Sequence, residues 1–137
     1  MARVVWNHAE AERLLNSQAG PVGRDLHRRG RTVERGAKRR CPVSEDGSNG
    51  NPPGHLRDSI TASEVGRDAA GLYVDVGTDV DYALPVELGS RPHVIESGGD
   101  YPLRNPKTGQ VFGRRVNHPG TKAQPYLRPA LDDLRGE

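Results

Sequence analysis

A strand running into a short helix, over residues 72–89, constrains this chain more than any other stretch. Leu72, Val74 and Val76 alternate with Tyr73, Asp75 and Gly77, the period-two pattern of a strand with one buried face. Asp79 and Asp81 are placed to cap a helix after the strand, residues 83–88 have helical spacing, and Gly89 supplies a left-handed stop. Pro85 suits the first helical turn, where its missing N–H has no intrahelical partner to lose. A sharp strand-to-helix corner is expected here.

Upstream, Asn7 and Glu10 have capping-box spacing, so a helix starts at His8, with Ala11, Leu14, Leu15 and Ala19 as its apolar side. Gly20-Pro21 interrupts it. Val22, Leu26, Val33 and Ala37 then recur at helical intervals up to Arg40, giving two helices or one kinked helix. Cys41-Pro42 ends it, because the residue before proline is pushed out of the helical region. Residues 44–54 bury nothing and read as a mobile loop. A strand is expected over residues 56–65, turning through 66–71 into the 72–76 strand and pairing with it antiparallel.

Beyond Gly89, residues 90–124 are rich in Gly, Pro, His and Asn, with candidate strands at 93–95 and 110–112. Asn105-Pro106-Lys107-Thr108-Gly109 is a turn between Tyr101-Pro102-Leu103 and Val111-Phe112, so a projecting hairpin is expected. A long excursion of this kind is usually functional when it is ordered. The chain closes on a helix whose Leu127, Leu131 and Leu134 share a face. It is expected to begin close to Pro129 and to dock on the 22–37 helix or the 72–76 strand. The resulting class is α+β: a long, kinked or bipartite N-terminal helix on a small, mainly antiparallel sheet, with a projecting hairpin and a C-terminal helix.

At 137 residues the chain is read as one domain, residues 1–137, with 90–124 as an excursion within it. A chain this long buries roughly 68% of its unfolded surface. Its core is lean. Hydrophobic residues make up 33% and aromatics 4%, beside 17 glycines and 11 prolines, which favours stabilisation by neighbouring subunits. One cysteine leaves no internal disulfide. No apolar run is long enough to span a bilayer and no signal-peptide pattern opens the chain, so it is read as soluble and made in the cytoplasm, with no membrane partner.

The residues argue against catalysis. No two of His8, His27, His55, His93 and His118 have the three- or four-residue spacing that places two metal ligands on one helix face. Cys41 lacks the signature of a nucleophile paired with a base. Asp75, Asp79, Asp81 and Glu87 gather around the corner, yet capping and surface roles account for them. Residues 47–54 lack the Lys-Ser/Thr ending of a phosphate loop. Neither a catalytic residue, a metal ligand nor a cofactor is therefore assigned.

Charge gives a stronger signal. The chain carries only +2 overall, but residues 24–40 hold eight cations against Asp25 and Glu34. Arg24, Arg28, Arg31, Arg35 and Lys38 are candidates for facing DNA or an acidic partner, and binding of that kind would depend steeply on salt. No aromatic residue interrupts the stretch for base stacking. The alternative functional class is thus a small DNA-binding module built on this helix.

Together, several motifs carry a resemblance. They run in order from Ala37-Lys38-Arg39-Arg40-Cys41-Pro42-Val43 to His55-Leu56-Arg57-Asp58-Ser59-Ile60, then Val76-Gly77-Thr78 and Tyr82-Ala83-Leu84-Pro85-Val86-Glu87-Leu88-Gly89. Last comes His118-Pro119-Gly120-Thr121-Lys122-Ala123-Gln124-Pro125-Tyr126-Leu127-Arg128-Pro129-Ala130-Leu131. This order resembles the neck and minor tail component family of long-tailed double-stranded DNA phages, the tail-completion or head–tail joining proteins similar to the lambda minor tail protein Z. The loop before His55 is longer than that family's usual one. The resemblance implies a small α+β virion protein without catalytic activity. It would form a ring of itself, a hexamer, at the head–tail junction, after assembly in the host cytoplasm. Neighbouring neck and tail-tube proteins, and packaged DNA in the lumen, would be its partners. Glu87, Arg91, Val94, Ile95, Tyr101, Leu103, Val111, Phe112 and His118 are the expected ring-interface residues.

Overall fold

A computed structural model describes residues 1–47 and 50–136. Ser48 and Asn49, part of the expected loop, and the terminal Glu137 lie outside the described residues. The chain divides into two compact units, one made of Met1–Asp81 with Pro125–Glu137 and the other of Tyr82–Gln124.

The first unit is built on α2, Pro21–Arg40. Pro21 opens it at a position where no N–H is needed, and Lys38, Arg39 and Arg40 lie in the last turn against the negative end of the helix dipole. Cys41 caps it, its N–H donating to the Ala37 carbonyl at 2.8 Å. The buried side of α2 differs from the apolar stripe of the sequence. Val33 and Ala37 are buried as expected, but Val22 is 40% exposed, and Gly23, Gly30 and Gly36 take places on the buried face. These glycines let neighbours approach closely. A Cβ at Gly30 would lie 2.5 Å from Cγ1 of Val74, and one at Gly36 would lie 3.2 Å from Cβ of Ala130.

Before it comes α1, His8–Asn16. Oδ1 of Asn7 accepts from the Glu10 N–H at 3.1 Å, as a cap should. Glu10 answers with its carboxylate on the Asn7 side-chain amide at 3.4 Å, not on the backbone N–H. No residue of α1 is fully buried, and Leu14 and Leu15 remain exposed.

The expected strand over 56–65 begins instead as a helical turn, α3, His55–Ser59. Leu56 and Ile60 are both buried while Asp58 between them is exposed; a strand would set all three on one face, whereas a helical turn separates 58 from 56 and 60. Gly54, at φ 78° and ψ 4°, turns the chain into it. After Ile60, β1 (Thr61–Ala62) pairs antiparallel with β4 (Val76–Gly77), and β2 (Gly66–Asp68) pairs antiparallel with β3 (Gly71–Tyr73). The ribbon is the expected one, with a tighter turn. Asp68 closes it by accepting from the N–H groups of Ala70 and Gly71 at 2.8 and 3.1 Å. Leu72, Val74 and Val76 are half-buried while Tyr73 and Asp75 are exposed, as the alternation requires.

The C-terminal α5, Leu127–Arg135, starts two residues before Pro129 and keeps that proline in its first turn. It docks on α2. Ala130 lies against Gly36 of α2, Tyr126 just before the helix is fully buried, and Leu131 is 46% exposed. The expected leucine face is thus rotated outward at its centre, because Ala130 is what fits against Gly36.

In the second unit, α4 (Ala83–Leu88) ends at Gly89, whose φ is 74°. Pro85 is in its first turn as expected. Asp79 and Asp81 do not cap it: the N-cap is Tyr82, without a side-chain cap bond. Two hairpin ladders come next. β5 (His93–Glu96) pairs antiparallel with β8 (Arg115–His118), and β6 (Leu103–Arg104) pairs antiparallel with β7 (Val111–Gly113).

Candidate assembly surface

The base of the second unit is clasped by backbone bonds between Ser90 and Thr121, 3.0 and 3.1 Å long, while their hydroxyls lie 3.0 Å apart. The Gln124 N–H donates to the Val86 carbonyl at 2.8 Å, tying the returning chain to α4. Beyond the clasp, the β5–β8 register sets His93 opposite His118, Val94 opposite Asn117, Ile95 opposite Val116 and Glu96 opposite Arg115. Cross-strand partners share a face. One face therefore holds His93, Ile95, Val116 and His118, and the other Val94, Glu96, Arg115 and Asn117.

The two imidazoles stack with centroids 4.9 Å apart. Nδ1 of His118 accepts from the Gly120 N–H at 3.0 Å, and Nδ1 of His93 lies 2.9 Å from the Arg91 carbonyl. The second hairpin turns over Asn105, whose side-chain oxygen accepts from the N–H groups of Lys107 and Thr108 at 2.9 and 3.3 Å. This is the turn expected from Asn105 to Gly109.

Most of the candidate interface residues are exposed. Val94 is exposed to 42%, Ile95 to 37%, Tyr101 to 64%, Val111 to 50% and Phe112 to 44%. Arg91 is exposed, whereas Leu103, His118 and Glu87 are half-buried, with Glu87 set apart on α4. Two contributors escaped the sequence reading. Strand β8, which brings His118 to His93, contains Val116 as its sole large apolar residue and so had no readable alternation. Leu84 and Leu88 of α4 are also exposed; their four-residue spacing was the available signal.

The cations of α2 are mostly occupied within the chain. Arg28 and Arg29 both bond Asp25, holding its carboxyl below the usual range, with Arg28 the larger influence. Lys38 and Arg31 reach Glu34 at 2.8 and 2.7 Å, and the Ala62 N–H also donates to it at 3.3 Å. The Lys38 hydrogen bond is the main reason that the Glu34 carboxyl is held below 4.5, against the opposing effect of burial. Arg24 donates to the Ala19 carbonyl at 2.9 Å, and Arg40 bonds Asp133 of α5. Among the described residues Arg35 reaches only the Thr32 hydroxyl, at 3.4 Å. The five candidate cations are therefore not one uniform surface: Arg31 and Lys38 belong to a buried carboxylate, and Arg35 projects.

Among the described residues, no three His, Cys, Asp or Glu side chains come together in a way that could hold a metal ion. Among them, too, no helix is long and apolar enough to cross a membrane.

The chain is thus a small α+β protein with a lean core and apolar side chains exposed on its hairpins. The chain belongs to the HK97-gp10-like family, described as "Bacteriophage HK97-gp10, putative tail-component", whose model matches residues 12–89. It is accordingly a phage tail component, which places it in the virion. The match ends at the glycine that closes α4, so β5 to β8 and α5 lie beyond it. No curated protein and no solved structure matches the chain.

Proposed function

We propose that this protein is a non-catalytic structural subunit that closes a homo-oligomeric ring at the head–tail junction of a long-tailed phage, completing the tail or joining it to the head. The carrying observation is the exposure of Val94, Ile95, Tyr101, Val111 and Phe112 on hairpins that a lean chain builds but does not bury. In this reading the chain acts as one domain whose 90–124 excursion reaches a neighbouring subunit or ring. Closed rings join two different faces of the same chain. Formal charge suits that arrangement: residues 82–124 carry six Lys and Arg against three acids, +3, which leaves −1 for the rest of a chain whose total is +2.

The six-fold number, the neighbouring neck and tail-tube proteins and the passage of DNA through the lumen are drawn from the family resemblance. The test is sizing and negative-stain imaging of purified protein, with ring-sized particles expected. A monomer that binds DNA with steep salt dependence would replace this reading by the basic-helix module.

A further inference from the structure

We infer that the segment Arg3-Val4-Val5-Trp6 of one subunit adds itself as an antiparallel strand to the free edge of β5 in a second copy of this chain. The inference rests on the ring reading and names the contact that would close it.

Two unused halves of a β-pairing are present in the sequence. The segment is rich in residues that favour strands, contains no proline and is strongly exposed, Val4 to 93%, Val5 to 74% and Trp6 to 65%. Among the described residues it pairs with no strand. Among the described residues strand β5 is hydrogen-bonded on one side only, to β8, and all four of its residues are exposed. An exposed apolar edge strand presents a row of unpaired backbone groups and is a template for another chain. Strand addition is a common way to satisfy it, with main-chain bonds giving affinity and side chains giving specificity.

The residues select a register and a partner. Antiparallel pairing that places Arg3 opposite Glu96 also places Val4 opposite Ile95, Val5 opposite Val94 and Trp6 opposite His93. Charge then meets opposite charge, and apolar or aromatic side chains meet their like. Glu96 is 67% exposed although Arg115 lies 3.7 Å away, so it has room for a second cation. Parallel pairing would instead set Arg3 against His93 and Trp6 against Glu96, and a one-residue slip would set Glu96 against Val4 or Arg3 against Ile95. Because donor and acceptor are different surfaces of one sequence, the contact is head-to-tail, the kind that closes rings.

The test uses the full chain carrying Val4→Cys and Ile95→Cys, oxidised and run on a non-reducing gel. Native Cys41 is buried, and wild-type protein is the control for it. Expected is a ladder of dimers and higher species, far stronger than from the off-register pair Val4→Cys with Val94→Cys, since a disulfide demands Cβ atoms about 3.5–4.5 Å apart. Removal of residues 2–6, which contribute nothing buried, is expected to leave the circular dichroism spectrum unchanged and abolish the oligomer. Rings that persist without the arm, or that cross-link no better in register than out of it, overturn this inference and leave the ring reading standing. A product cross-linked within one chain, or an equally strong dimer from Ile95→Cys alone, also overturns it. A chain that stays monomeric at all concentrations overturns both.

Discussion

Glu34 is the residue on which most local electrostatics converges. Its side chain is only 11% exposed and is held by Lys38, Arg31 and the Ala62 N–H, so one carboxylate joins two turns of α2 to β1. Its folded pKa lies below the unfolded value, about 4.5. The associated stability is therefore fully present above about pH 4.5 and is lost as pH falls through the lower, folded value. Acid titration of the wild type should show the loss, and Glu34→Gln should flatten it while costing about 1–3 kcal/mol at neutral pH. Equal slopes in the two proteins would mean that other carboxylates govern acid unfolding. Gly30 makes a second residue-scale prediction. Alanine is worth about 1 kcal/mol in helix propensity, but its Cβ would meet a β-branched Val74 methyl at 2.5 Å. Overpacking of that kind costs about 1–3 kcal/mol, so urea titration of Gly30→Ala should show a net loss. Gly36→Ala, 3.2 Å from Ala130, should be close to neutral.

The elements α2 and α5 are joined by small residues, Gly36 against Ala130, with Arg40 and Asp133 paired at the side. Leu131, the centre of the leucine face in the sequence, is left nearly half exposed. Leu131→Ala should thus cost no more than about 0.5 kcal/mol, whereas a buried leucine would cost about 2–5 kcal/mol. Ala130→Leu should cost more than Leu131→Ala in the same denaturant titration, because its extra carbons have no space beside Gly36. The hairpin elements behave differently. Deleting residues 101–111 removes β6 and its turn but leaves the β5–β8 ladder, so the isolated chain should keep its thermal melt and fail to form rings. An unfolded deletion protein would show that the hairpin belongs to the core.

At the scale of the whole molecule, the chain combines apolar surface with segments of opposite formal charge, and both should contribute to association. Raising salt from 0.1 to 1 M shortens the screening length from about 10 to about 3 Å. The concentration at which subunits associate should therefore rise with salt without association being lost. Salt-independent assembly would leave the apolar hairpins as the whole driving force. The basic helix should add little, since exposed ion pairs are worth about 0–1 kcal/mol each and most of its cations already hold acids of the same chain.

What the sequence determined by itself is local. Asn7 and Glu10 marked the start of α1, Gly20-Pro21 its separation from α2, Cys41-Pro42 the end of α2, and Asn105 to Gly109 the hairpin turn; each works through neighbours within a few residues. The family was legible for the same reason, since it rests on motifs in order along the chain. Tertiary structure decided which faces are used. Gly23, Gly30 and Gly36 have no hydrophobic signal, yet they line the buried side of α2, because closeness of approach and not apolarity selects them. It turned Leu56 into a helical residue and moved the packing of α5 from Leu131 to Ala130. Those choices depend on what lies across the interface, and sequence spacing holds no information about the other side.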